Sequence, residues 1–272
     1  MNRIFVVRVG ADTSYYPLKS PVFEDYSFEF VPIWEGKKTD QSPIAYKTPM
    51  LRYCDIACFN NPNDTLAKYV PKYLAEKVAH NDPEFRRMTY GDLCETYPRA
   101  SNLKAVKQGD YLFFLARLEP HDGKRFVRST AVNSYYFIGY FHIELVCGPI
   151  EKALQAREEV NIGSNAHVLR AKADPSLWVD KSDRFWVFKG GADSRRFCYA
   201  LKAEYDWLSK IFSDAQGHPW RENSNQTPLQ RMMSYTRTVR CQIDLNVPQQ
   251  KDSYNRFWEK IQQHLRAGRG IV

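Results

Sequence analysis

The sequence predicts an α+β protein with a mixed β core and flanking helices, and three observations carry that prediction. Residues 111–118 and 135–146 are long runs of aromatic and β-branched side chains that read as neighbouring central strands. Residues 3–9 alternate and are rich in Val, Ile and Phe, which reads as an opening strand stopped by the Gly10-Ala11-Asp12 turn. Residues 253–265 instead carry Phe257, Trp258, Ile261 and Leu265 at helical spacing.

Along the chain, residues 28–33 predict a second strand, halted near Pro32, and residues 36–42 a polar loop without period. Residues 64–79 show a helical pattern in Leu66, Val70, Tyr73, Leu74 and Val78, which Pro71 should kink or split. Gly109-Asp110 is a turn leading into the first central strand, and the second contains Gly139. Together these strands predict a hairpin with an exposed tip at residues 121–128.

Pro149 at a first turn predicts a helix over 149–160. Residues 184–188 predict a strand ending at Gly190-Gly191, and 203–212 a helix with Tyr205, Leu208 and Phe212 on one face. The tail 266–272 should fray. With no internal repeat and no clear linker, residues 1–272 read as a single domain.

The composition supports a folded chain. Of 272 residues, 43% are apolar and 14% aromatic, enough to offset the entropy of ordering them. Lys and Arg exceed Asp and Glu by 39 to 31, a net charge of +8, which suits a polyanionic partner or an ordinary solvated basic face. Cys54, Cys58, Cys94, Cys147, Cys198 and Cys241 form no CxxC pair, so no zinc site and no other metal site is predicted. No secretory leader and no membrane-spanning run is read, so the expectation is a cytoplasmic protein with reduced thiols and no membrane partner. Nothing in these patterns points to a particular cofactor or oligomeric state.

Four stretches carry polar groups at spacings that suit chemistry. Arg8 and Asp12 flank the glycine turn after the first strand, where they could face a ligand or pair with each other. The His80-Asn81-Asp82-Pro83-Glu84-Phe85 cluster has Asp82 placed to cap a short helix starting at Pro83. Just beyond it, Tyr90 and Asp92 could offer a phenol and a carboxylate to a base or ribose pocket. Asn165, His167 and Arg170 combine an amide that can read a base edge, an imidazole that can move a proton and a guanidinium that can hold phosphate. That segment reads as a loop entering a strand. Lys189, Ser194, Arg195 and Arg196 surround the Gly190-Gly191 turn, which suits a phosphate or a basic surface hairpin, although it is not a Walker loop. Among the interleaved aromatics most should be core, and a minority, Tyr15 among them, could stack on bases.

With these residues in view, the chain resembles the third of the nucleotide-modification-associated domain families, which accompany DNA-modification systems. The resemblance runs through VRVGADTSYY, PVFED, FEFVPI, HNDPEFRRMTYGD, QGDYLFFLARLEP, YYFIGYFHIE, NAHVLRA and FWVFKG with the SRR that follows, in that order. QGDYLFFLARLEP and YYFIGYFHIE also look like the central strands of PUA-related barrels, which implies a partly barrel-like, PUA-like β core that could grip a modified or flipped base. The resemblance implies a protein that handles a nucleotide or nucleic-acid base, DNA being the favoured partner. Binding would fall to Arg8, Asp12, Tyr15, Tyr90, Asn165, Arg170, Lys189, Ser194, Arg195 and Arg196 around one cationic aromatic cleft. An enzyme acting on that base would use His167 or Asp92 as general base.

Overall fold

The computed structural model describes residues 3–10, 17–35, 50–95, 100–127, 134–150, 162–173, 185–214, 216–220 and 242–269. In chain order the strands and α-helices are β1 (Arg3–Val9), β2 (Ser20–Val22), β3 (Ile33–Trp34), β4 (Ala79–His80), β5 (Thr89–Asp92), β6 (Tyr111–Pro120), β7 (Tyr135–Ile150), α1 (Ala166–Ala173), β8 (Phe185–Gly190), β9 (Arg195–Lys202), α2 (Tyr205–Ile211), β10 (Gln242–Asp244) and α3 (Lys251–His264). The fold is α+β, built on a mixed eight-stranded sheet ordered β10-β1-β6-β7-β8-β5, with β2 on β6 and β9 on β7. Among the described residues this sheet is open, so the barrel closure expected of a PUA-like core is not seen.

The two aromatic runs do form the sheet's centre. β6 and β7 pair antiparallel from Tyr111 opposite His142 to Arg117 opposite Tyr135. β1 joins β6 in parallel, and β8 and β9 pair with successive parts of β7. Gly139 is required where β7 meets β9, because a Cβ there would lie 2.5 Å from the Arg195 carbonyl oxygen. Alternation along β6 sends Phe113 toward Phe257 of α3, with ring centroids 4.9 Å apart, and Phe114 to the other face against Phe85, Tyr90 and Phe141. α3 follows the predicted helical spacing, burying Phe257 and Ile261. No described helix is long and apolar enough to cross a membrane.

Several expectations change. Residues 28–33 do not form one strand, because the Ser20 hydroxyl takes the Val31 N–H at 2.9 Å and only Ile33–Trp34 pairs, with β4. The helical pattern over 64–79 does divide at Pro71 as expected, but into the single 3₁₀ turns Leu66–Tyr69 and Lys72–Leu74 in place of α-helical pieces. Leu66, Val70, Leu74 and Val78 are still buried, whereas Tyr73 is exposed. The tip is exposed at residues 122–125 as expected, but His121 at its base is buried among Phe23, Tyr69 and Phe126. Pro149 and Ile150 end β7 instead of starting a helix, and the remainder of that expected helix lies outside the described residues. In α2, Leu208 is buried with Phe212 just beyond the helix, but Tyr205 faces solvent.

A candidate polar centre between β4 and α1

β4 and the extended residues after it place alternate side chains on opposite sides. His80 and Asp82 point to one side, into a buried cluster, while Ala79, Asn81 and Pro83 line a cavity on the other. The second wall comes from α1. Asn165 caps that helix: its carbonyl accepts the Leu169 N–H at 2.9 Å and its side-chain oxygen accepts the His167 N–H at 3.0 Å. The residue expected in a loop entering a strand is therefore a helix N-cap, and His167 sits in the first turn. Val168 fixes the helix by packing against Phe185 and Val187 of β8, a burial worth about 1.5–3 kcal/mol.

These elements bring His80, Asp82 and His167 together. Their nearest ligand atoms all lie within 4.8 Å of one another, with Asp82 Oδ2 at 3.9 Å from His80 Nε2 and 3.6 Å from His167 Nε2. Asp82 does not cap a helix at Pro83. Its carboxylate accepts the Gly91 N–H at 3.0 Å and the Asn165 side-chain amide at 3.2 Å. Gly91 is needed here for space, since a Cβ would fall 2.6 Å from His167 Cδ2 and 2.8 Å from Asn165 Oδ1. Behind the cluster, Glu35 Oε1 is 2.7 Å from His80 Nδ1, and Arg170 Nη1 is 3.5 Å from Glu35 Oε2. The His167 ring stacks on Phe185 and meets His80 edge-on, with centroids 5.6 and 4.6 Å away.

Burial and charge set the protonation of this group. Desolvation pushes the Asp82 carboxyl well above its ordinary range, against the opposing pull of His80, the Gly91 N–H and Asn165. For His80, burial alone would favour the neutral ring, but the charge and hydrogen bond of Glu35, with Asp82, outweigh it and the net shift is upward. His167 moves well downward, through burial first and then through His80 and Arg170, so it is the neutral imidazole of the pair.

Across the shared wall is a cavity of about 450 Å³. Phe30, Phe59 and Phe85 give it flat apolar surfaces, with Arg196 within and Arg86 and Arg87 exposed beside it. The arginine pair is presented by a tight turn in which the Glu84 carboxylate accepts both their backbone N–H groups at 2.8 Å. The Arg196 guanidinium lies 3.5 Å above the Phe59 ring and 4.3 Å from that of Phe28, donating to the Phe28 carbonyl at 3.0 Å. Burial lowers it to about 10, with Glu29 opposing, so it stays a cation at neutral pH.

The model of the family described as nucleotide modification associated domain 3 matches residues 3–248. The chain belongs to that family. No curated protein and no solved structure matches it. The family name ties this nucleotide modification associated domain to nucleotide-modification systems, and the match takes in both the cavity and the polar cluster.

Within this domain the residues singled out by sequence separate into several places. Asn165, His167 and Arg170 join the cluster. Tyr90 is buried in the core, its hydroxyl donating to Asp92 at 2.9 Å, and Asp92 also accepts its neighbour Leu93 N–H. Arg8 stacks over the Tyr135 ring and bonds its hydroxyl. Lys189 donates to the Arg87 carbonyl at 2.6 Å. Ser194 is buried and accepts the His142 N–H at 3.1 Å, closing the glycine turn. Arg195 and Arg196 fall on opposite faces of β9, so Arg195 lines a separate groove with Tyr111, Tyr140 and Trp258. Asp12 and Tyr15 lie outside the described residues. What sequence reading missed is Glu35, His80, Asp82 and Gly91 as one group, and Arg86 and Arg87 as free-standing cations. The two-residue spacing of His80 and Asp82 in an extended segment was the available signal.

Proposed function

We propose that this protein recognises a nucleotide, or a base presented by DNA, as a component of a nucleotide-modification system, and that the cavity beside β4 is where it does so. The observation that carries this reading is the pairing of aromatic walls with cations in one concavity. Its size lies in the range of small-molecule sites. A base would stack against Phe59 or Phe85, and Arg86 and Arg87 would meet the phosphate. Neither role needs proton transfer, so binding alone satisfies this geometry.

A second reading, an enzyme that transfers or removes a group on that base, is favoured by the buried His80, Asp82 and His167 cluster across the same wall. In that reading His167 is the better general base than Asp92, whose carboxylate is committed to Tyr90 and Leu93.

The test is titration of the chain with nucleoside monophosphates and short single-stranded and duplex DNA, alongside Arg86→Ala and Arg87→Ala. Each charge-assisted phosphate contact contributes about 1.5–3 kcal/mol, so each variant should bind at least about tenfold more weakly with unchanged thermal stability. Equal affinity in the double variant would remove the cavity from consideration, and absence of any nucleotide or DNA binding by the parent chain would remove the reading altogether.

A further inference from the structure

The polar cluster has a feature that hydrogen bonding does not account for. Asp82 Oδ2 is an acceptor, and the two imidazole Nε2 atoms face it at 3.6 and 3.9 Å, beyond hydrogen-bond reach. Glu35 Oε1 stands 2.7 Å from His80 Nδ1, so a proton on that nitrogen leaves the Nε2 lone pair directed at a carboxylate. Three potential ligand atoms thus converge with no hydrogen bond joining them, and a cation among them, displacing the protons they would otherwise hold, would give all three a partner.

The spacing agrees with one. Nitrogen and oxygen ligands held at about 2.0–2.2 Å from a tetrahedral ion stand about 3.3–3.5 Å apart. The carboxylate–imidazole separations of 3.6 and 3.9 Å exceed that edge by a few tenths of an ångström, and all three pairs lie within 4.8 Å, so binding would draw the ligands slightly together. We propose that His80, Asp82 and His167 bind one divalent first-row transition-metal ion through the two Nε2 atoms and the Asp82 carboxylate.

The surroundings have the form that metal ligands need. Glu35 behind His80 fixes the ring and its tautomer, the outer-shell arrangement that orients a ligating imidazole. The Gly91 N–H and the Asn165 amide hold the Asp82 carboxylate, and Asn165 also holds the backbone of His167. Gly91 has no side chain at the one place where a Cβ would push His167 away. Two imidazoles and one carboxylate form a borderline-soft set that selects zinc, iron(II) and their neighbours over magnesium or calcium. Among the described residues no cysteine takes part.

The full chain, stripped with chelator and equilibrated with Co²⁺ alone, tests this. One ion per chain is expected, with visible d–d absorption, and Zn²⁺ should displace it. His167→Gln should abolish the absorption, and Glu35→Gln should weaken Co²⁺ affinity by about 10–100-fold. X-ray absorption of the loaded parent chain should show imidazole scattering and an N/O shell. That measurement decides the matter even where a variant fails to fold. Uptake below about a tenth of an ion per chain, a sulfur-dominated shell, or a folded His167→Gln protein with an unaltered Co²⁺ spectrum would overturn the proposal. Because the metal is the probe, its failure leaves the Arg86 and Arg87 titrations standing.

Discussion

Asp110 and Asp82 are both buried carboxylates, and the chain treats them differently. Asp110, at the start of β6, is fully enclosed and meets the Arg3 guanidinium at 2.6 and 3.2 Å, with the backbone N–H groups of Arg3 and Lys107 at 3.0 and 2.9 Å. Every bond is short and the opposite charge is part of the fold. Among the described residues Asp82 receives only neutral donors at bonding distance, and the groups facing it are two imidazoles held too far away to bond. A carboxylate whose charge is matched internally holds strands together. One enclosed without such a match costs stability, and it is at such places that function is to be sought.

The largest effect should come from unbalancing the matched pair. Asp110→Asn keeps the shape but leaves the Arg3 guanidinium buried without a counter-charge at the junction of β1 and β6. We expect a loss of about 3–5 kcal/mol, measured by urea unfolding. A loss below about 1 kcal/mol would mean that this pair and the Asp82 cluster are not different in kind.

How far the sequence revealed these two places follows from the range of their interactions. The sheet's centre was readable because residues 111–118 and 135–146 are long runs rich in aromatic and β-branched side chains, a local signal. The Gly109-Asp110 turn was readable for the same reason, although Arg3 as its partner was not. In residues 64–79 the split at Pro71 was readable, but the pieces on either side are single 3₁₀ turns, too short for the helical spacing of their apolar residues to extend into an α-helix. The polar centre was half visible: Asn165 and His167 stood out as residue types. Their partners are 83 positions away for Asn165 and Asp82, and no local period marks such a pairing. Glu35 and Gly91 carried no signal at all, since an acid and a glycine are ordinary until packing shows what each touches. The imagined single cleft failed at β9, where neighbouring arginines must point to opposite faces of the sheet.

The second effect sharpens the comparison by crowding the cluster while leaving its charges alone. In Gly91→Ala the new methyl meets His167 Cδ2 and Asn165 Oδ1 well inside contact distance, and the β5–β8 pairing of Gly91 with Val187 leaves little room to retreat. A destabilisation of about 1–3 kcal/mol is expected by thermal or urea unfolding. The same change should impair whatever the cluster binds, because His167 must move. Full stability in Gly91→Ala would show that the close approach is not a constraint on the ring.

The smallest effect on stability is expected at the most unusual residue. Asp82→Asn fixes the neutral form that burial favours, and its carbonyl oxygen can still accept from Gly91 and Asn165. Its amide would then face the two imidazole nitrogens as a donor where an acceptor stood before. Unfolding free energy should therefore change by less than about 1 kcal/mol, with a gain as acceptable as a loss, in contrast to Asp110→Asn. Stability retained together with loss of Co²⁺ uptake would mark Asp82 as a residue kept for what it binds. A destabilisation matching that of Asp110→Asn would instead make it a structural anchor, and the distinction between the two aspartates would fall.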